Sequence, residues 1–238
     1  MHPNVRRLID LDANGPAQKS EEWLALRHGM LTASDAATAI GKNKYETAHQ
    51  LLLRKCGLVP KFQGNEATRH GEKYEDEARI LFEKEYGEVV HELGVMQHPV
   101  HKFLGGSPDG VTESNCLVEI KCPMMRDLGD GSVPEHYLPQ LQLCMEILDL
   151  PKAFFIQYKP AEFNWPRPME FVVVEIERDR GWFEEFFPVM RAFWDKVEYH
   201  RAHPGELQAP PPPKSRPRKI KENPIEILSD PEDDYFSD

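Results

Sequence analysis

Ser107-Pro108-Asp109-Gly110 is followed eight residues later by Val118-Glu119-Ile120-Lys121-Cys122, and this pair of segments predicts a β-hairpin. Alternate residues of a strand project to the same face, so Glu119 and Lys121 point to one side, about 6.5 Å apart along the strand. A polar turn between the two segments brings Asp109 alongside Glu119. The hairpin therefore places two carboxylates and an amine close together.

These side chains are suited to hold a divalent cation and to activate a water against a phosphodiester. Asp109 and Glu119 would repel each other unless a cation lay between them, and hard oxygen ligands favour Mg²⁺ over zinc, with Mn²⁺ as a substitute. The carbonyl oxygen of Ile120 is a candidate further ligand, whereas the Ile120 side chain is expected to point into a core. Lys121 would orient the water or offset the charge that builds on the phosphate.

A solvated hairpin with ordinary surface charges is the alternative explanation of the same residues. An aspartate followed at a distance by Glu-x-Lys occurs often by chance. The apolar neighbours Leu117, Val118 and Ile120, however, predict a buried environment for Glu119. A buried carboxylate is costly unless it is paired or binds a metal, so the pattern favours a functional site.

The composition predicts one sizeable folded domain with extensions. The chain has 238 residues, of which 40% are hydrophobic. We expect an N-terminal extension at 1–17, a domain at 18–203 and a tail at 204–238. No apolar run approaches the length of a membrane span and no signal-peptide stretch follows the first residues, so we expect an intracellular protein, neither secreted nor membrane-bound. The four cysteines lack zinc-type spacing and are expected to be reduced, mostly buried thiols.

The formal net charge of -11 argues against a protein that coats nucleic acid by bulk electrostatics. The residues from Gly205 onward carry 8 acidic and 5 basic side chains, which leaves -8 on the first 204 residues. A nuclease with this composition must bind DNA through a local positive pocket and its metal ions.

The hydrophobic pattern predicts a mixed central sheet flanked by helices, of the α/β or α+β class. Predicted helices cover 21–28, 36–40, 48–56, 65–86, a segment that begins at Pro134, and 178–199; predicted strands cover 89–90, 93–96, 103–104, 110–111, 117–121, 153–158 and 171–176. The last two strands are almost continuously apolar, which predicts burial on both faces. The aromatic stripe of the last helix is expected to pack in the core rather than bind bases.

After His203-Pro204 the composition changes to a proline run, a basic run and an acidic end, which predicts a disordered tail. The basic run 214–221 is typical of a nuclear-import signal or a non-specific DNA tether. Residues 225–234 resemble a SUMO-interacting motif, which adds a strand to the edge of a partner's sheet. We therefore expect a SUMO-type partner and a nuclear location, with a merely solubilising tail as the alternative.

Five short motifs occur in order within residues 18–200. They are Trp23-Leu24-x-x-Arg27-x-Gly29-x-Leu31-Thr32-Ala33-Ser34-Asp35, Gly71-x-x-Tyr74-Glu75, Ser107-Pro108-Asp109-Gly110, Glu119-Ile120-Lys121-Cys122-Pro123 and Tyr137-x-x-Gln140-x-Gln142. Each motif alone is weak, but the five in this order are specific. With them the chain resembles the lambda exonuclease / YqaJ-type viral recombinase family, a branch of the PD-(D/E)XK nucleases.

The resemblance implies a restriction-endonuclease-like core and a Mg²⁺-dependent exonuclease. Such enzymes degrade one strand of linear duplex DNA from a 5′ end and leave 3′ single strands for recombination or repair. The resemblance further implies that Asp109 and Glu119 are metal ligands, that Lys121 is the catalytic lysine and that Glu75 is an acidic helper. A pocket for the 5′-terminal phosphate is expected to consist of Arg27, Ser34, Ser107 and Gln140.

Two residues of this pocket also have suitable chemistry of their own. Ser34 is predicted at the start of a helix, where free N–H groups and the dipole attract anions. Arg27 offers a planar fork that matches a phosphate. Without the resemblance, a plain N-cap and an exposed helix charge are the simpler explanations.

The resemblance extends to partners and leaves two alternatives open. Phage members of the family form a ring-shaped trimer around DNA, so a homotrimer and a single-strand annealing protein are expected partners besides duplex DNA with free ends. One alternative is an endonuclease of restriction or repair type. The other is a non-catalytic DNA-end-binding recombination adaptor, which has no need for a costly carboxylate pair.

Overall fold

The computed structural model describes residues 1–18, 20–60, 64–128 and 131–208. In these ranges the helices are Pro3–Asp12 (α1), Glu21–His28 (α2), Ala36–Ala39 (α3), Ala48–Lys55 (α4), Glu66–Tyr86 (α5), Leu138–Leu148 (α6) and Arg180–Ala202 (α7). The strands are Leu31–Thr32 (β1), Val90–His91 (β2), Met96–Gln97 (β3), Leu104–Gly106 (β4), Gly110–Thr112 (β5), Cys116–Lys121 (β6), Lys152–Lys159 (β7) and Glu170–Glu177 (β8). The predicted basic run 214–221 and the segment 225–234 lie outside the described residues.

The described strands form two mixed sheets. The larger sheet has the order β2-β5-β6-β7-β8, in which β6 and β7 run parallel and the other neighbours run antiparallel. The smaller sheet has the order β1-β4-β3, in which β1 runs parallel and β3 antiparallel to β4. The predicted class, a mixed sheet with flanking helices, is confirmed.

The alternation of side chains along β6 divides the interior into two cores. Val118 and Ile120 point to one face, where they pack with residues of α5 such as Phe82. Leu117 points to the other face and joins a larger core that includes residues of α1, α6 and α7. Ile120 therefore points into a core, away from Glu119, as predicted.

Local signals begin and end the helices that carry site residues. At the start of α2, the side chain of Ser20 accepts a hydrogen bond from the backbone N–H of Trp23. At the start of α5, Asn65 and Thr68 form a reciprocal capping box. Gly87 ends α5 with a φ of 66°, a conformation that L side chains rarely adopt. These helix boundaries agree with the predicted ones.

Several elements differ from the sequence prediction. Segment 1–17, expected to be an extension, contains α1, whose Val5 and Leu8 are buried in the larger core. The strand predicted at 93–96 is replaced by a two-residue strand at Met96–Gln97. Burial on both faces is confirmed for β7 and wrong for β8, because β8 is an edge strand whose side chains are mostly half-buried.

The expectations for cysteines and aromatic residues are confirmed in the described ranges. Cys116, Cys122 and Cys144 are buried free thiols. Phe193 and Trp194 of α7 are buried in the larger core. Within the described part of the chain, no helix has the length and apolar character needed to cross a membrane.

Candidate active site

The predicted hairpin is formed by β5 and β6. Gly110 pairs with Val118 in antiparallel register, which sets Asp109 and Glu119 side by side where the pairing ends. The Oδ2 atom of Asp109 accepts a hydrogen bond of 2.7 Å from the backbone N–H of Ile120. This bond holds the Asp109 side chain against β6.

Glu119 is almost completely buried, with 1% of its surface exposed, and its two oxygens differ in their surroundings. Oε1 accepts hydrogen bonds from Nζ of Lys121, at 2.5 Å, and from the side-chain amide of Gln140 on α6. Oε2 is buried and has no hydrogen-bond partner among the described residues. A buried carboxylate oxygen without a partner is costly, and a bound cation would satisfy it.

Burial and like charge determine the electrostatics of this cluster. Burial, followed by repulsion from Asp109, raises the pKa of Glu119 to about 7. Burial acts on Lys121 in the opposite direction, but the carboxylates of Glu119 and Asp109 outweigh it and raise the pKa of the amine above its ordinary value. Lys121 is therefore a cation at neutral pH, suited to donate to an anionic oxygen rather than to accept a proton.

The donor set fits a hard divalent cation. It combines the oxygen of Glu119 that lacks a partner among the described residues with the carboxylate of Asp109, and the carbonyl of Ile120 stays a predicted further ligand. Glu75 lines the same cavity, and its charge adds to the raised pKa of Glu119. In ranges 1–18, 20–60, 64–128 and 131–208, no group of three or more His, Cys, Asp or Glu side chains is placed to hold a metal ion. The roles of these residues as metal ligands stay predictions.

The raised pKa of Glu119 predicts that the stability of the metal-free protein depends on pH. The carboxyl group titrates near 4.5 in an unfolded chain and near 7 in the folded protein. Between these two values the folded protein binds more protons than the unfolded chain does. The free energy of unfolding should therefore fall as the pH rises from about 4.5 to about 7, by up to about 3 kcal/mol.

Denaturant unfolding in EDTA across this pH range measures the effect. Glu119→Gln should remove this part of the slope, because the glutamine cannot ionise. Glu185→Gln, at an exposed position of α7, is the matched control and should keep the wild-type slope. Identical slopes in the wild type and in Glu119→Gln would contradict the assignment of a buried, ionisable carboxylate.

A cavity of about 290 Å³ brings the predicted site residues together. Its wall includes the four predicted phosphate ligands and the four predicted catalytic side chains: Arg27, Ser34, Ser107, Gln140, Glu75, Asp109, Glu119 and Lys121. Ile120 lines the neighbouring cavity instead. Positions far apart in the sequence thus share one concave surface, as the resemblance implies.

Arg27 and nearby polar groups form one side of this cavity. Nη2 of Arg27 lies 3.2 Å from Oγ of Ser34, and its guanidinium stacks over the ring of Trp23, 4.5 Å from the centroid. The hydroxyl of Ser107 and the indole N–H of Trp23 are buried without hydrogen-bond partners among the described residues. Gln140, the fourth predicted phosphate ligand, instead donates its amide to the buried carboxylate of β6. Two unpaired polar groups beside an arginine are suited to bind an anion.

The structure corrects the prediction for the backbone at Ser34. Ser34 lies within a 3₁₀ turn, Ala33–Asp35, and the helix that follows has only four residues. A helix this short has too few aligned peptide units for the expected attraction by its dipole. The predicted anion site would therefore depend on the side chains of Arg27 and Ser34.

A buried ion pair, which the sequence analysis missed, supports this side of the cavity. The amine of Lys55 lies 2.8 Å from the carboxylate of Asp35 and donates to the backbone carbonyl of Arg27 at 3.1 Å. The hydroxyl of Thr32 donates to Asp35 at 2.6 Å and lies 3.1 Å from Oγ of Ser34. Burial opposes the ionisation of Asp35, but Lys55 and a neighbouring arginine outweigh it and lower its pKa to about 2. The pair thus connects the backbone at Arg27 with the hydroxyl of Ser34.

A second cavity, of about 330 Å³, adjoins the first. The two share Glu72, Glu75, Asp109 and Lys121. The remaining wall of the second cavity comes from α5, from the end of β6 with the residues after it, and from Tyr137: Ala67, Thr68, Gly71, Ile120, Cys122, Pro123, Met124 and Tyr137. A strand that passed from one cavity to the other would pass the carboxylate of Asp109.

Comparison with known proteins identifies the family. Residues 22–150, more than half of the chain, match the model of the YqaJ-like viral recombinase domain. The chain belongs to this family. All five motifs, which span residues 23–142, lie within the matched range, so the resemblance found in the sequence is confirmed.

Two relatives of this chain are larger proteins. Protein R354 of Acanthamoeba polyphaga mimivirus is 31% identical over 164 residues, which are 62% of this chain and 30% of the viral protein. YqaJ of Bacillus subtilis is 29% identical over 195 residues, which are 78% of this chain and 59% of the bacterial protein. The chain therefore spans less than two thirds of either relative.

A solved structure with a similar fold is the alkaline exonuclease of Laribacter hongkongensis. It matches with a TM-score of 0.66 and 27% identity, over 77% of this chain and 95% of the exonuclease. The structure of the same exonuclease in complex with dAMP matches with a TM-score of 0.64. This family member thus has the nuclease-type fold that the sequence predicts.

Proposed function

We propose that this chain is a Mg²⁺-dependent deoxyribonuclease that removes nucleotides from the 5′ ends of linear duplex DNA, with Mn²⁺ as a substitute. The observation that carries the proposal is one cavity in which a carboxylate pair adjoins an arginine and the hydroxyl of Ser107. One oxygen of the pair and this hydroxyl have no hydrogen-bond partner among the described residues. The similarity to an alkaline exonuclease, which also binds a deoxynucleoside monophosphate, supports the same class of reaction. Removal of nucleotides from 5′ ends leaves 3′ single strands. Membership of the viral recombinase family supports a role of these strands in recombination or repair.

The terminal phosphate binds first, on the arginine side of the cavity. Arg27 offers its planar fork, and Ser34 and Ser107 offer hydroxyl groups. Because these groups share one cavity with Asp109 and Glu119, a strand anchored by its 5′ phosphate presents a bond near its end to the carboxylates. The anchor accounts for the 5′ polarity and for the requirement for a free end.

Hydrolysis then takes place where the two cavities meet. When bound, a divalent cation supplies charge neutralisation for the phosphate and lowers the pKa of water. Lys121, kept protonated by Glu119, donates to the phosphate oxygens on which negative charge builds. The N–H of Ile120 fixes the carboxylate of Asp109, and the amide of Gln140 fixes that of Glu119. These bonds keep the carboxylate pair in place before substrate arrives.

Assembly and location are further parts of the proposal. The resemblance supports a homotrimer and a single-strand annealing partner. The composition of residues 214–221 and 225–234 supports a nuclear location and a SUMO-type partner.

Digestion of linear and closed circular DNA tests the proposed function. The protein is incubated with Mg²⁺ and either a 5′-phosphorylated, end-labelled linear duplex or the same sequence as a covalently closed circle. Release of 5′ mononucleotides from the linear duplex alone is the expected result. Cleavage of the circle would replace the proposal by an endonuclease, and binding of ends without any cleavage would replace it by an adaptor.

Arg27→Ala should weaken the preference for phosphorylated ends. We expect kcat/KM on 5′-phosphorylated duplex to fall about tenfold to a hundredfold, because a charge-assisted pair with phosphate is lost. Activity on 5′-hydroxyl ends should change little. Arg6→Ala, at an exposed position of α1, is the control. Equal losses on both kinds of end would remove Arg27 from the phosphate pocket.

A further inference from the structure

A small cationic surface lies beside the second cavity, although the chain as a whole carries a net charge of -11. We call it the cationic rim and define it by Lys44, Tyr45, Arg126 and His136. Lys44 and Tyr45 belong to the loop between α3 and α4, Arg126 follows β6, and His136 lies in the turn before α6. Two connections that are distant in the sequence, α3–α4 and β6–α6, therefore contribute to one surface.

Ring contacts join Lys44, Tyr45 and His136 into one cluster, and the charge of Arg126 acts on it. The ring of Tyr45 lies 5.4 Å from the ring of His136, edge to face, and Nζ of Lys44 lies 5.0 Å from the centre of the Tyr45 ring. Besides burial, the charges of Lys44 and Arg126 lower the pKa of His136. Tyr45 is 70% exposed despite these contacts, so it presents an aromatic face to solvent.

The charges of the rim are open to an anionic partner, although Nη2 of Arg126 already donates to Oε1 of Gln157 at 2.8 Å. Within the described ranges, neither Lys44 nor Arg126 has a carboxylate within 4.0 Å. Their acidic neighbours Glu46 and Asp127 are held in ion pairs with other side chains, at 2.8 Å and 3.0 Å. Glu135 is exposed and offsets part of the charge. The balance at the rim is positive, opposite to that of the whole chain.

Tyr137 connects the rim with the catalytic residues. Its ring lies 4.2 Å from the ring of His136 and 5.6 Å from Nζ of Lys121. Tyr137 and Met124 both line the second cavity. A strand whose 5′ phosphate lies in the first cavity would leave through the second, on the 3′ side of the bond that is cut, and would reach the rim there.

We propose that the cationic rim binds the sugar–phosphate backbone of the cleaved strand beyond the bond that is cut. The inference rests on the proposed function and extends it from the strand end to the body of the substrate. Lys44 and Arg126 contact phosphates, and Tyr45, supported by His136, packs against a deoxyribose or a base. The rim supplies the local positive charge that a chain with a large negative charge needs in order to hold DNA.

Equilibrium binding to a 5′-phosphorylated duplex tests the rim without cleavage. The duplex must extend past the second cavity, and binding is measured in EDTA over a range of salt concentrations. Lys44→Ala and Arg126→Ala should each raise Kd about three- to tenfold, and each should reduce the slope of log K against log salt by about one. Tyr45→Ala should raise Kd without a change in slope. Lys84→Ala, at an exposed position about 13 Å further along α5 than Glu75, should match the wild type.

A second substrate separates the rim from the catalytic site. A 5′-phosphorylated dinucleotide contains the terminal phosphate and one cleavable bond, but it ends before the rim. Lys44→Ala and Tyr45→Ala should therefore cleave it at the wild-type rate in Mg²⁺. Wild-type affinity of Lys44→Ala for the duplex, or an unchanged salt slope, would overturn the proposal that the rim binds DNA. A loss of dinucleotide cleavage as large as the loss of duplex binding would overturn it as well. Absence of cleavage of the 5′-phosphorylated linear duplex by the wild type in Mg²⁺ would instead overturn the proposed function.

Discussion

Asp109→Asn is expected to abolish DNA cleavage, with a loss of about a thousandfold or more in the single-turnover rate. Asparagine keeps the shape of the side chain and an oxygen that can accept the N–H of Ile120. It removes one of the two charges that the cation requires. The fold should survive, and the metal-free variant should be no less stable than the wild type, because the repulsion that adds to the effect of burial on the pKa of Glu119 is lost.

Two measurements on the same preparation check this expectation. Single-turnover digestion of 5′-labelled linear duplex gives the rate, and thermal unfolding in EDTA gives the stability. Asp10→Asn, at an exposed position of α1, should behave as the wild type in both. Retained cleavage in Asp109→Asn would contradict the assignment of the cation site to the hairpin.

Lys121→Met is expected to slow the chemical step by about a hundredfold to ten-thousandfold, with DNA affinity nearly unchanged. Methionine fills similar space but offers no donor to the phosphate oxygen. The substitution also removes the cation beside Glu119, at 2.5 Å. The pKa of Glu119 should rise further, so the remaining activity should require a higher pH than that of the wild type.

A pH series of single-turnover rates measures both effects of Lys121→Met. Lys196→Ala, at an exposed position of α7, is the control and should keep the wild-type rate and pH profile. A small change in rate together with a large loss of DNA affinity would indicate that Lys121 binds substrate and takes no part in catalysis.

The hairpin and the helices near the site follow from local sequence signals. The alternation in β6 separates Glu119 and Lys121 from Ile120, because neighbouring strand residues point to opposite faces. Ser20 and Asn65 cap the helices at the predicted positions. Such features depend on residues only a few positions apart, which is why the pattern predicts them.

Other features depend on contacts between distant residues. Asp35 and Lys55 are twenty positions apart, and their ion pair forms only when α3 and α4 pack together. The apolar pattern of β8 resembles that of β7, but only the order of strands decides which of them lies at the edge. The sequence pattern likewise did not predict that Val5 and Leu8 join the larger core. Neither periodicity nor capping can show these long-range contacts.

The prediction that the site residues line one cavity has a different basis. Arg27 and Gln140 are more than a hundred positions apart, and their common wall was predicted from the family resemblance alone. The resemblance also assigned Gln140 to the phosphate pocket, and the structure shows that its amide donates to Glu119. Family motifs therefore predicted which residues meet, whereas tertiary packing decides which of their atoms bond.

A crystal structure with Mn²⁺ and a 5′-deoxynucleoside monophosphate tests the central claim most directly, because anomalous scattering locates the manganese. We predict a manganese peak bonded to oxygens of Asp109 and Glu119 at about 2.1 to 2.3 Å, with a phosphate within hydrogen-bond reach of Arg27. Manganese bound elsewhere, or a phosphate away from Arg27 in crystals saturated with both ligands, would contradict the account.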